Sequence, residues 1–276
     1  MVINTNVASI NSQRQLTKTN NALSTSMERL SSGLRVNSAK DDAAGLAIAD
    51  GMTSQIRGMT VATRNASDGI SMAQTAESAM GEITNTMQRM RDLAVQSSNS
   101  GAVTEDDRAK LNTEFQQLND ELTRIVTSTE FNGKKIINGS LSGGINFQVG
   151  ANTDSDNQIA VSVSDLATTL SNVTAAVITG VSEAFAHSAI DAIDAAIEAV
   201  DTARAGLGAI QNRFTTTISN LQSSIENQSA ARSRIMDTDF AAETAQLSRN
   251  QILQQAGTAM LSQANQAPNA VLGLLR

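Results

Sequence analysis

The sequence predicts a mainly α protein: a long antiparallel helical rod or coiled coil with a small β-hairpin, its N- and C-terminal helices paired. Three observations carry this. Apolar residues recur at steps of three, four and seven along most of the 276 residues, the spacing of a helix seam. The single proline is Pro268, so little else forces a helix to break. Aromatics are 2% of the chain, six Phe with no Trp or Tyr, a composition that suits thin helical layers better than a bulky globular core.

The first helix is marked by Ile3, Val7, Ile10, Leu16, Leu23, Met27, Leu30 and Leu34. Gly33 falls where a helix C-cap needs a positive φ. A second seam then runs through Ile48, Met52, Ile56, Met59, Ala66, Ile70, Ala73, Met80, Ile83, Met87, Met90 and Ala94 to the polar break at 97–101. That is about 55 residues, or roughly 80 Å of helix at 1.5 Å per residue. A compact globule of this length would be only about 50 Å across, so an elongated molecule is expected.

A third helix is predicted from Glu105 to about Thr129, with Thr104 as N-cap and Glu105, Asp106 and Asp107 at the positive end of its dipole. The period then changes. Ile145, Phe147 and Val149, and after the turn-forming ANTDSDN, Ile159, Val161 and Val163, alternate as two paired strands, a hairpin at about 144–164. Helical spacing returns from Ser182 to about Asp237, and a last segment carries Phe240, Leu247, Leu253, Met260, Leu261 and Val271. The expected domains are residues 1–40, a coiled-coil segment with a joint, residues 41–237, a core rod, and residues 238–276, a second coiled-coil segment.

Gly51, Gly58, Gly69 and Gly81 lie inside the second helix, each costing about 1 kcal/mol relative to Ala. Either that helix is weak, or small residues let its neighbours approach closely. The stripe Met80, Met87 and Met90 is read as adaptable contacts or as ordinary core filling.

Composition excludes several functions. A net charge of −7 disfavours nucleic acid and anionic membrane, both of which demand clustered Lys and Arg. No apolar run approaches the roughly 20 residues of a membrane span. The absence of cysteine removes disulfides and thiolate metal sites. The N-terminus has neither a charged nor an apolar signal region, so export, if it occurs, is expected by another route. There is no HExxH, no Walker-type loop and no Cys/His cluster, so no enzyme activity, cofactor or metal is expected. His187, the one histidine, is read as a polar residue near a helix start.

Asp41 and Asp42 could be a carboxylate dyad, but acids just before a helical run also stabilise its N-terminus without a ligand. Arg89, Arg91 and Asp92 are read as a solvated face or a protein contact. The ends are less easily explained. Residues 250–275 carry no charge and eight Asn or Gln, and Arg14 and Lys18 are the only charged side chains in residues 1–27. A membrane-surface helix would need basic residues there. The seam Leu23, Met27, Leu30, Leu34 and Leu253, Met260, Leu261 instead suggests segments that order when they bury one another, in self-assembly or with a partner.

These residues resemble a known family. The stretches ERLSSGLRVNSAKDDAAGLAIA, RNASDGISMAQTAE, QRMRDLAVQ, EFNGKKIINGS and the end from SRIMDTDFAAETAQLSRN onward are similar to bacterial flagellin, over most of residues 1–140 and 190–276. The resemblance implies a subunit that polymerises into the flagellar filament for motility, its termini paired in an inner tube and its long helices and hairpin further out. It implies export through the flagellar type III apparatus to an extracellular filament. A self-polymer, an export chaperone on the C-terminal segment, a filament cap and hook-junction proteins would be the partners. Gly33, Asp41 and Asp42 would be the spoke between terminal coiled coil and rod, a joint and not a catalytic site. Only residues 164–182 lie where many flagellins insert a large outer domain. Gln88, Arg89, Leu93 and Glu114 match positions tied to axial contact and to recognition by a host Toll-like receptor, whereas Asp92 stands where the family usually has Glu. The rivals are a hook-filament junction protein, which shares the terminal design, and a coiled-coil binding module that never polymerises.

Overall fold

The computed structural model describes residues 5–179 and 183–272. Ile3, Ser182 and the side chain of Val271 lie outside them. Seven α-helices are described: α1 (Val7–Ser32), α2 (Ala43–Ser97), α3 (Glu105–Ser128), the short α4 (Leu166–Thr169) and α5 (Ser171–Thr174), α6 (Ala184–Met236) and α7 (Phe240–Leu272). Strands β1 (Glu130–Phe131) and β2 (Lys134–Lys135) form one antiparallel pair, and β3 (Ile145–Gln148) and β4 (Gln158–Val161) another. The mainly α class, the small hairpin and the pairing of the terminal helices, α1 against α7, are all present.

The local signals act as their chemistry requires. Gly33 closes α1 at φ 72°, and its N–H donates to Arg29 O at 2.9 Å. Thr104 Oγ1 accepts from Asp107 N at the start of α3, with Glu105, Asp106 and Asp107 in the first turn. The hairpin register pairs Ile145 with Val161 and Phe147 with Ile159, so the alternating apolar residues share one face. β1 and β2 are a finding beyond the sequence reading. Asn132 at φ 49° and Gly133 at φ 75° turn the chain between two strands too short to leave a period.

The chain folds as two compact units, residues 1–55 with 226–276 and residues 56–225. The second holds a buried apolar core. Met72, Met80, Ile83, Met87, Met90 and Leu93 of α2 are at most 3% exposed, and pack with Phe115 and Leu122 of α3 and Ile193, Val200, Leu207 and Phe214 of α6. The methionine stripe is therefore core filling. Leu166, Leu170, Val173 and Ile178 of the segment around α4 and α5 are also buried. That segment is tied to α2 and α3 by Ser97 Oγ donating to Ile178 O at 2.6 Å and Asn119 Nδ2 donating to Thr174 O at 2.7 Å.

Gly51, Gly58, Gly69 and Gly81 of α2 divide into two kinds. A Cβ at Gly69 would lie 2.6 Å from Phe214 Cζ, and one at Gly58 would lie 2.8 Å from Ala151 Cβ, so these two permit close approach. At Gly51 and Gly81 a Cβ would meet nothing within 4 Å. Replacing either Gly51 or Gly81 with Ala is therefore expected to stabilise the free chain by about 0.5–1 kcal/mol, the helix-propensity difference alone. Denaturant unfolding of each single variant would check it, and a loss of stability would mean that these positions are crowded.

Candidate self-assembly surface

α1 and α7 lie antiparallel, and their facing positions step by three and four. On α1 these are Ser9, Ser12, Leu16, Thr19, Leu23, Ser26 and Leu30; on α7 they are Glu243, Leu247, Asn250, Gln254, Gly257, Leu261 and Ala264. The fully buried members are small or polar: Ser9, Thr19, Ser26 and Asn250. A Cβ at Gly257 would be 3.3 Å from Leu16 Cδ1, so a leucine of one helix sits against a gap in the other. Polar ties run alongside. Asn6 Nδ2 donates to Ala264 O at 2.7 Å, Ser9 Oγ to Asn265 Oδ1 at 2.6 Å and Gln254 Nε2 to Asn20 Oδ1 at 2.9 Å, and Arg29 stands 3.7 Å from Glu243.

The expected seam is only partly sealed within one chain. Leu23, Leu30, Leu34 and Leu261 are half-buried, whereas Met27 is 57% exposed, Leu253 47% and Met260 60%. Val7, Ile10 and Ile252 are exposed as well. Large apolar side chains are thus exposed on both helices away from their shared interface, and on α7 those from Ile252 onward lie in a stretch without charge. Singly exposed apolar residues are ordinary, but a run of them along paired helices marks an interaction surface.

Gly33, Asp41 and Asp42, the expected spoke, lie along the segment between α1 and α2. Asp42 Oδ1 accepts from Gly45 N at 2.8 Å and so caps α2. Asp41 does something else: its Oδ2 accepts from Ser38 N at 2.9 Å, Ser38 Oγ at 3.0 Å and Asn37 N at 3.2 Å, holding the loop before the helix. Gly33, Leu34 and Arg35 run antiparallel to Met236, Asp237 and Thr238. Arg35 N donates to Met236 O, Thr238 N to Gly33 O, and the Arg35 guanidinium to Ile235 O. No feature of the sequence announces this pairing, since the partners are some 200 residues apart.

The hydrogen bonds from Ser38 and Asn37 hold the Asp41 carboxyl below its ordinary pKa. A depressed folded-state pKa means that the carboxylate stabilises the loop above the unfolded value, near pH 4, and that this is lost as pH falls through the lower folded value. NMR titration of Asp41 should give a pKa below that of a model aspartate, with the Ser38 amide shifting in step. A normal pKa would show that the loop is not held this way.

In the second unit, Arg89 Nε and Nη2 both donate to Glu114 Oε1, at 3.0 and 2.6 Å, while Gln88 is exposed nearby on α2. Leu93 is 1% exposed and belongs to the core beneath. Arg91 forks onto Asp194 of α6 at 2.6 and 3.1 Å, a pair that holds the Asp194 carboxyl below its ordinary pKa. The sequence offered no sign of it, because the two residues lie 103 apart.

A groove of about 760 Å³ between α2 and α3 is lined by Ser71, Thr75, Ser78, Glu82, Glu121 and Arg124, with Arg124 already tied to Glu121 by two short bonds. Among the described residues no group of three or more His, Asp or Glu could hold a metal ion, and no helix is long and apolar enough to cross a membrane.

The family model of the bacterial flagellin N-terminal helical region matches residues 3–142, and that of the C-terminal helical region residues 190–275. A flagellin of Halalkalibacterium halodurans is 48% identical over 276 residues, covering 100% of both chains. Flagellin A of Vibrio cholerae is 39% identical over 377 residues, covering 99% of each. A solved structure assigned as a flagellar hook-associated protein from Vibrio parahaemolyticus has a TM-score of 0.60 at 14% identity and covers 71% of this chain and 100% of that one. At that identity the likeness speaks for the fold alone.

Proposed function

The chain belongs to the bacterial flagellins, structural subunits that polymerise into the flagellar filament, and from that premise we propose how this one assembles. The exposed apolar residues of α1 and α7, with few charges among them, are the surface that neighbouring copies cover. The observation that carries this is the exposure of Met27, Ile252, Leu253 and Met260 on a helix pair whose most buried interface positions are small or polar. Burial of about 25 cal/mol per Å² of apolar surface would then come from the polymer and not from the monomer. Of the expected seam, Met27, Leu253 and Met260 supply these contacts, Leu23, Leu30 and Leu261 hold α1 against α7, and Gly33, Asp41 and Asp42 shape the joint between the terminal segments and the core of residues 41–237.

The same surface would need cover before assembly, which an export chaperone on the C-terminal segment would supply while the chain leaves the cell unfolded through the flagellar type III route. Filament cap and hook-junction proteins are the further partners of its two ends. Gln88, Arg89 and Glu114 present an exposed polar cluster with Leu93 supporting it from below, a surface suited to axial contact and to a host Toll-like receptor. The role is structural throughout, with no catalysis.

Limited proteolysis of the monomer followed by seeding with filament fragments tests this reading. Trimmed chains, cut to a resistant core near residues 45–235, should fail to extend seeds that the intact chain extends. Elongation by the trimmed core would place the assembly surface elsewhere.

A further inference from the structure

The seam between α1 and α7 does not by itself select one alignment. Counting antiparallel from the Leu16–Gly257 contact puts Leu23 beside Asn250, Leu30 beside Glu243, Ser12 beside Leu261 and Ser26 beside Leu247. No layer opposes two leucines, and five of the seven set a leucine against a small or polar residue. Slipping one helix by seven residues preserves that rule: Leu16 would meet Ala264, Leu23 would meet Gly257, Leu30 would meet Asn250 and Thr19 would meet Leu261. A seam with heptad periodicity is prone to this, and a register needs a feature that does not repeat. The side-chain ties are weaker candidates. Ser, Asn and Gln recur along both helices, so a slipped pair finds replacements for the Asn6, Ser9 and Gln254 bonds, and the Arg29–Glu243 pair, which has none, is a single bridge at 3.7 Å.

The backbone ties of this unit also have no counterpart a heptad away. The Gly33–Arg35 and Met236–Thr238 segments exchange backbone bonds, Arg35 N to Met236 O at 2.6 Å and Thr238 N to Gly33 O at 3.0 Å. They lie directly beyond the C-terminus of α1 and directly before α7, so a slip of seven residues, about 10 Å at 1.5 Å per residue, breaks both bonds. Gly33 at φ 72° aims its carbonyl into this pairing, and Arg35 adds its guanidinium to Ile235 O. We propose that this backbone clasp is the register lock of the terminal helix pair. A slip would also shift the exposed apolar residues of α1 against those of α7, so on the assembly reading above the lock bears on how they meet a neighbouring copy.

Thr238 separates the clasp from its surroundings. Thr238→Pro removes the N–H that Gly33 O accepts, while Thr238→Val keeps it and removes only a hydroxyl that is buried without a hydrogen-bond partner. The chain has no cysteine, so spin labels can be placed on Asn11→Cys and Ala245→Cys, both exposed positions, without interference. Distances would be read by pulsed electron resonance in the full-length chain as a dilute guest in filaments of unlabelled chain. The parent and Thr238→Val should show one distance. Thr238→Pro should show a second population displaced by about 10 Å, the axial shift of one heptad. A single, unchanged distance for Thr238→Pro would overturn the lock. A second distance in Thr238→Val as well would overturn it too, since the backbone donor would not be the cause. Seed elongation, measured separately, reports on the assembly reading without deciding the register.

Discussion

Replacing Phe214 with alanine is expected to destabilise the second unit by about 3–5 kcal/mol. The ring is fully buried, meets Phe147 edge-to-face with centroids 5.6 Å apart at 84°, and lies against the backbone of α2 at Gly69. In a chain with only six Phe this contact joins three elements, α2, α6 and the β3–β4 hairpin, and few other side chains are large enough to fill the space. The edge-to-face pair adds about 0.5–1.5 kcal/mol to the burial itself. Its complement on α2 gives the opposite perturbation. Gly69→Ala gains about 1 kcal/mol of helix propensity but forces a methyl to within 2.6 Å of the ring tip, so overpacking should leave a net loss of about 1–2 kcal/mol. Urea unfolding of both single variants and the double variant provides the check. In the double variant the cavity and the methyl occupy the same space, so its loss should be smaller than the sum of the singles. Simple additivity would show that the two residues are not in contact.

What could be read from the sequence divides along the range of the interactions. Gly33, Thr104 and Asp42 announced helix ends because capping is settled within three or four residues, and the strand alternation at 145–149 and 159–163 announced the hairpin for the same reason. The family likeness was legible because long unbroken stretches carry it. The glycines of α2 show the limit. Gly51, Gly58, Gly69 and Gly81 look alike along the chain, and only the placement of Phe214 and Ala151 separates the two that permit close approach from the two that do not. The Arg91–Asp194 pair and the clasp between 33–35 and 236–238 were invisible, since neither leaves a periodic trace and each joins residues more than a hundred positions apart. The seam was read as apolar from Leu23, Met27, Leu30 and Leu34, yet the side chains most deeply buried between α1 and α7 are Ser9, Thr19, Ser26 and Asn250. A helix with apolar residues on more than one side does not reveal from its period which of them face its own partner and which face outward.

That ambiguity leads to the largest expected effect on function, the substitution of Ile252 and Met260 by aspartate. Both are exposed, at 66% and 60%, so the monomer should lose no more than about 0.5 kcal/mol. In the filament the same positions would be covered by neighbouring copies, and an unpaired carboxylate removed from water costs several kcal/mol. No charged side chain of residues 250–275 is available to pair with it. An added cost of about 4 kcal/mol per subunit corresponds to roughly a thousandfold weaker elongation equilibrium. Ile252→Asp/Met260→Asp should therefore leave the thermal unfolding of the monomer unchanged and abolish seeded elongation at concentrations where the parent chain polymerises. Met260→Leu, which keeps the apolar surface, should elongate normally. The contrast isolates burial from folding, because both substitutions lie on the same helix and face the same solvent in the free chain. Should the double aspartate variant extend seeds as readily as the parent, the outer side of α7 stays wet in the polymer, and the apolar contacts that drive assembly would have to come from α1 alone.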